Sequence, residues 1–350
     1  MSKNFNVKST FGNYSVCYDT FNNIKNEIIS NDPFFIIDKR LKKIYNHLFS
    51  EISDERILFI DSDENAKSFE RCSSYLEDLL SRKIKKNSTL IAIGGGVIQD
   101  ITGFMSSIIF RGIDWIFIPT TLLAQCDSCI GSKTSINFQS YKNVLGNFYP
   151  PKKVIIDSSF LSTLPFEDIK SGIGEMTHYF FFSNSNFLKP MYDKYEKLLE
   201  RSDDITPFID ESLKIKKSVI EIDEFDQGIR NKFQFGHTFG HAIENATKYK
   251  INHGQAVTIG MDIAMFLSVE KKIMKESDYK FYNKMISKNF PYLPKDFDFE
   301  SFYKALKRDK KNIENFLVCI LICKPGELVK TQIAIDNQLK KTLKKYFKQF

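Results

Sequence analysis

"STLIAIGGGVIQDITGF", residues 88–104, reads as a buried strand, three consecutive glycines and the opening turns of a helix. The run Leu90–Ile93 is short, apolar and bounded by turn-forming residues, as expected of a strand covered on both faces. Gly94, Gly95 and Gly96 allow the backbone to come close to a diphosphate, and the helix that follows presents free amide groups to it. The order of glycines is not G-x-G-x-x-G, so the dinucleotide fingerprint is not met letter for letter. Three glycines at a strand-to-helix junction still point to nucleotide or phosphate binding rather than to a plain tight turn.

Working outward, "PFFIID" (33–38), "RILFID" (56–61), "DWIFIPT" (114–120) and "KKVIID" (152–157) repeat the strand pattern. Segments with helical periodicity lie between them, such as "ENAKSFERCSSYLEDLLSRKI" (64–84). That alternation predicts an α/β fold with a mainly parallel, Rossmann-like sheet whose ligands bind beyond the carboxyl ends of the strands. After about residue 158 the texture changes to long helical segments, among them "FLKPMYDKYEKLLERS" (187–202) and "GQAVTIGMDIAMFLSVEKKIM" (254–274). Only "NFLVCILIC" (315–323) reads as a further strand there. We therefore expect an α/β domain over residues 1–158 and a mainly helical domain over 159–350, with the active site where the two meet.

The chain has 350 residues, 42% hydrophobic and 27% charged, the proportions of a globular protein too long for one small core. No apolar run approaches bilayer length and "MSKNFNVKST" lacks a signal-peptide core, so a cytoplasmic protein without a membrane partner is expected. The net charge of +7 suits anionic small molecules, while no basic-aromatic module suggests nucleic acid. In the basic ending "LKKTLKKYFKQF" (339–350), Leu339, Leu343, Tyr346 and Phe350 recur at helical spacing, which predicts a closing amphipathic helix. Six cysteines in a chain this long are not a disulfide framework, and "CDSC" (126–129) does not open a thioredoxin-like unit.

"RNKFQFGHTFGHAIEN" (230–245) sets His237 and His241 four apart, on one helical face. Thr238 stands where an H-E-x-x-H protease would carry its general base, so that reading fails. Other candidate ligands are Glu175 and His178 in "GIGEMTHYFF" and His253 in "INHGQAV". Four of the five histidines fall in these motifs. Two histidines and a glutamate would make a catalytic metal site with one open position, but spacing alone does not choose among them.

Taken together, "GGGVIQDITGF", "FRGI", "IPTTLLAQCDSCIGSKTSIN", "KNVLGNFYPPKKVIID", "GIGE", "DEFDQGIR", "FGHTFGHAIE" and "HGQAVTIGM" resemble the 3-dehydroquinate synthase and sugar-phosphate cyclase family. The blocks run in order from residue 94 to 261, and the resemblance as a whole runs from about residue 35 to 311. The resemblance implies an NAD-dependent, zinc- or cobalt-requiring lyase that converts a phosphorylated sugar to a carbocycle with loss of phosphate. It implies metal ligation by Glu175, His237 and His253, with His241 on the phosphate side. Further implied NAD contacts are Asp38, Glu64, Lys67, Gly95, Gly96, Val97, Asp100, Thr120, Thr121, Leu123 and Thr163. Asp127, Lys133, Lys142 and Asn143 would line the junction of NAD and substrate, and Lys216 and Arg230 would hold a substrate carboxylate. Arg111 resembles an arginine that reaches the phosphate across a homodimer interface, and Lys310 or Lys311 continues the basic lining.

Two positions depart from the family pattern. A lysine expected three residues after Glu175 is His178, and an asparagine expected four residues after Arg230 is Gln234. Both were expected to touch the phosphate. Three readings follow: a 3-dehydroquinate synthase using 3-deoxy-D-arabino-heptulosonate 7-phosphate, a cyclase for another sugar phosphate such as sedoheptulose 7-phosphate, or an inactive nucleotide binder. Metal-dependent alcohol and glycerol dehydrogenases share the implied architecture, but a net oxidoreductase has no need for so many groups directed at an anionic substrate.

Overall fold

A computed structural model describes residues 4–139, 141–309 and 311–348. The chain divides into two compact units, Met1–Leu164 with Lys216–Glu224, and Pro165–Ile215 with Phe225–Phe350.

The first unit is built on a seven-stranded sheet. Its strands are β1 (Phe5–Val7), β2 (Tyr14–Tyr18), β3 (Phe34–Asp38), β4 (Ile57–Ile60), β5 (Leu90–Gly94), β6 (Trp115–Pro119) and β9 (Lys153–Ile156). They lie in the order β1-β2-β9-β6-β5-β3-β4, all neighbours parallel except β1 and β2. Every residue of β3 and β5 is buried, which is why both read as unbroken apolar runs. From β3 the chain steps outward to β4, then returns to the other side of β3 for β5. That reversal is the point at which open α/β sheets bind ligands, and it brings the end of β3 beside the glycines that follow β5. A ribbon of β7 (Lys133–Phe138) and β8 (Tyr141–Phe148) was not foreseen from the sequence; nor was the β1–β2 pair.

In the second unit the helix His253–Glu270 is buried from Gly254 through Ser268, so it is covered on all sides and mostly apolar rather than amphipathic. The expected late strand is β10 (Phe316–Lys324), paired antiparallel with β11 (Glu327–Ala334). The closing helix Asn337–Phe347 buries Leu339, Leu343 and Tyr346, and Asp336 caps it by accepting from the Leu339 amide. Phe350, assigned to the same stripe, lies outside the described residues. Among the described residues no helix is long and apolar enough to cross a membrane. All six cysteines are free, and burial pushes the Cys129 thiol up to about 12, far from the thiolate that metal or redox chemistry requires.

One buried carboxyl makes a measurable demand on the second unit. Asp262 accepts from Tyr346 Oη at 2.7 Å and Asn283 Nδ2 at 2.9 Å, yet burial raises its pKa to about 6. The folded chain thus holds this proton more tightly than the unfolded chain, whose aspartates titrate near pH 3.9. Its contribution to stability is complete below about pH 4 and is lost as pH rises through about 6. Asp262→Asn should therefore unfold at a higher temperature than the parent at pH 8. The gain, up to roughly 3 kcal/mol from the size of the shift, should vanish near pH 4. Thermal unfolding of both chains across that range measures it, and an equal difference at every pH would refute it.

Candidate active site

Glycines decide where the second unit can place its polar groups. A Cβ on Gly254 would sit 1.7 Å from the Ser171 carbonyl oxygen, and one on Gly174 would sit 2.0 Å from that of Gly254. With no side chains there, the helices Phe166–Ser183 and His253–Glu270 touch backbone to backbone, and the Gly254 amide donates to Ser171 Oγ at 3.0 Å. Gly236 adopts φ +84° just before the helix His237–Ala246, and a Cβ on Gly260 would lie 2.0 Å from the Gly236 carbonyl oxygen. These close approaches converge Glu175, in the middle of one helix, with His237 and His253, each the first residue of its own.

The three donors make a compact set. His237 Nε2 lies 3.4 Å from Glu175 Oε1, and His253 Nε2 lies 3.5 Å from Glu175 Oε2. One donor atom from each of the three side chains lies within 4.8 Å of the others, close enough to gather around a zinc-like cation whose tetrahedral edges are about 3.4 Å. The tautomers agree with this. His237 Nδ1 faces the Phe235 carbonyl at 3.4 Å and His253 Nδ1 faces Glu244 Oε1 at 3.3 Å, so both rings donate through Nδ1 and offer the Nε2 lone pair. Burial lowers the pKa of His237 despite Glu175, which favours the neutral ligand form. Burial also pushes the Glu175 carboxyl up, but His178 and His237 outweigh it and hold it well below the usual carboxylate range. Glu175 Oε2 is buried without a hydrogen bond, a cost that a cation would remove.

A second group, His241, Glu244 and His253, also has its donor atoms within 4.8 Å of one another. It fits an ion less well, because Glu244 faces His253 Nδ1 and thereby orients the ring for the first group. Glu244 was missed from the sequence. The available signal was its place seven residues after His237, two turns along the same helix face.

The other expected residues separate by unit. In the first, Asp38 ends β3, Glu64 follows β4, Gly95 and Gly96 follow β5, and Thr120 and Thr121 follow β6, along one carboxyl edge of the sheet. A Cβ on Gly95 would strike Thr121 Cγ2 at 2.9 Å, whereas one on Gly96 would meet only Ser128 Oγ, at 4.0 Å. Lys67 Nζ pairs with Asp100 Oδ2 at 2.7 Å, and Asp100 Oδ1 accepts from the Ser135 amide at 2.9 Å, tying β7 to the glycine-led helix Gly96–Ile108. Asp38 is engaged by Arg40 and Ser62, Glu64 by Asn137, and Thr163 by Tyr45. Val97 and Leu123 are half-buried, and Lys133, Lys142, Asn143 and Arg111 are exposed. Lys216 Nζ lies 2.7 Å from both the carboxylate and the carbonyl oxygen of Asp127.

In the second unit Arg230 is buried at the start of the turn Ile229–Gln234. Lys311 donates to Gln234 Oε1, and together with His241, Lys304 and Arg308 it lines a cavity of about 550 Å³. Lys310, the basic residue first assigned to the substrate, lies outside the described residues. His178 departs from its assignment to the phosphate. It is 1% exposed, and its Nε2 meets Glu175 Oε1 at 2.9 Å. The imidazole lacks the reach of a lysine, and it packs edge-on against His237 with ring centres 5.0 Å apart.

Comparison with known proteins identifies the family and the fold. A family model described as the 3-dehydroquinate synthase N-terminal domain matches residues 57–171, and one for the C-terminal domain of the same family matches 172–312. A 3-dehydroquinate synthase of Clostridium tetani is 35% identical over 95% of this chain and 89% of its own. The fold is similar to that of a 2-epi-5-epi-valiolone synthase from Streptomyces hygroscopicus, solved with NAD+ and Zn2+, at a TM-score of 0.86 and 21% identity, covering 98% of this chain and 99% of that one. It is similar also to a 2-deoxy-scyllo-inosose synthase, solved with carbaglucose-6-phosphate, NAD+ and Co2+, at a TM-score of 0.83 and 23% identity, covering 98% of this chain and 100% of that one.

Proposed function

The chain belongs to the 3-dehydroquinate synthase family, and from that premise we propose that it converts 3-deoxy-D-arabino-heptulosonate 7-phosphate to 3-dehydroquinate and phosphate, using NAD and a divalent metal. The observation that carries the reading is the Glu175, His237 and His253 group, whose donor atoms lie within 4.8 Å of one another, with Glu175 and His237 buried and His253 half-buried. When bound, the metal supplies Lewis acidity and NAD takes up and returns one hydride, so the net reaction is redox-neutral.

The protein's own groups then have separable tasks. Glu175, His237 and His253 hold the ion. Gly95 and Gly96, at the head of a helix, receive the diphosphate of NAD, while Asp38, Glu64, Lys67 and Asp100 fix the rest of the dinucleotide. Val97, Thr120, Thr121, Leu123, Lys142 and Thr163 complete that lining. Lys216, steered by Asp127, and Arg230, a planar two-pronged donor, bind the substrate carboxylate. His241, Gln234 and Lys311 serve the phosphate side together with Lys133 and Asn143, and Arg111 serves the phosphate of a partner chain in a homodimer. On this reading residues 1–158 are the NAD-binding domain of a cytoplasmic enzyme, and residues 159–350 are its metal and substrate domain.

His178 and Gln234 favour weighing one further substrate class, a sugar phosphate without the carboxylate. Phosphate release separates the cases. With a catalytic trace of NAD+, the metal-loaded chain should release phosphate continuously from the seven-carbon acid, and mass spectrometry should identify 3-dehydroquinate. Turnover confined to sedoheptulose 7-phosphate would move the assignment to the second class. NADH accumulating in step with substrate consumed would move it to a dehydrogenase.

A further inference from the structure

His178, three residues after Glu175, is buried with its Nε2 against the Glu175 carboxylate. We infer that His178 is a positioning residue for the metal centre: its Nε2–H holds Glu175 Oε1, so that Oε2 is the oxygen presented to the ion. This rests on the metal-centre reading above and adds to it a fourth side chain with a distinct task.

Three observations carry it. His178 Nε2 is 2.9 Å from Glu175 Oε1, whereas Glu175 Oε2 has no hydrogen-bond partner and faces His253 Nε2 at 3.5 Å. Oε1 is held by His178 and also lies 3.4 Å from His237 Nε2, while Oε2 is left without a hydrogen bond for the ion to satisfy. Second, His178 Nδ1 is buried with no partner, so a proton there would be an unsatisfied donor and the ring carries its hydrogen on Nε2. His237 and His253 are tied through Nδ1 and hold the opposite tautomer. A ring whose Nε2 bears hydrogen donates to a carboxylate and has no lone pair there for a cation. Third, His178 is only 1% exposed and packs at a tilt against Tyr179 with ring centres 4.0 Å apart, so neither it nor the carboxylate it grips is free to swing.

The test is cobalt binding, read from the visible absorption of Co2+ titrated into metal-free full-length chain. The parent should bind one equivalent. His178→Met fills the space without a donor and should weaken Co2+ binding by about 10- to 100-fold. His178→Gln can donate its amide to the same oxygen and should recover most of that loss, with an absorption spectrum of parental shape and intensity. NAD+ affinity and far-ultraviolet circular dichroism should be unchanged in both. Parental Co2+ affinity in His178→Met overturns the inference and leaves the metal-centre reading standing. A His178→Gln spectrum altered in intensity overturns it in favour of direct ligation by His178. A parent that binds no cobalt sinks both readings.

Discussion

Replacing His237 with alanine should strip the chain of its ion and its phosphate-releasing activity in one step. The remaining pair, Glu175 and His253, offers two donors where a catalytic ion takes three. The Glu175 carboxylate, buried at 3% exposure, would also lose one of the two imidazoles that hold it ionised. Loss of a Lewis acid worth several kcal/mol implies a fall in turnover of at least about 10³-fold. His241→Ala is the matched control. It sits one turn along the same helix, ring centre 5.7 Å from that of His237, and is exposed. Metal content measured on the purified variants should drop below a tenth of an equivalent for His237→Ala and stay near one for His241→Ala, while the latter still loses activity through the substrate. Loss of the ion from His241→Ala would shift the centre to the His241, Glu244 and His253 group.

That control exists because the sequence could not settle the ligand set by spacing. His237 and His241 share a face, but which rings offer Nε2 depends on the Phe235 carbonyl behind His237 and on Glu244 behind His253, neither of which spacing ranks. The parallel core was legible for the opposite reason. β3 and β5 are buried on both faces, and two-sided burial writes itself as consecutive apolar residues. The β7–β8 ribbon had no such signature. Five of the eight residues from Tyr141 to Phe148 are polar or glycine, and nearly all are exposed, so neither run nor alternation marks the strand. β11 was hidden likewise, since Glu327–Ala334 buries only Leu328 and Ile333 against β10. His178 illustrates a different limit. Its place three residues after Glu175 is plain in the sequence, but only the packed ring shows its Nε2 against the Glu175 carboxylate.

The glycines of the second unit were legible as small-residue motifs, though not as the device that assembles the centre, and Gly254→Ala puts this to a strong test. Its Cβ would lie 1.7 Å from a backbone oxygen, that of Ser171, so no side-chain rotation relieves the clash and two helices must part. Overpacking of this kind typically costs about 1–3 kcal/mol where side chains can adjust, and a backbone obstacle should place it at the top of that range or beyond. The neighbouring His253 would move with its helix, so Co2+ affinity should fall along with the thermal midpoint. Gly96→Ala supplies the contrast. Its Cβ would meet nothing nearer than Ser128 Oγ at 4.0 Å, so stability should hold or rise by up to roughly 1 kcal/mol. If Gly254→Ala unfolds at the parental temperature with full cobalt affinity, then the close contact of the two helices is not what brings Glu175 and His253 together. The convergence of the three ligands would then have to come from the Gly236 and Gly260 crossing alone.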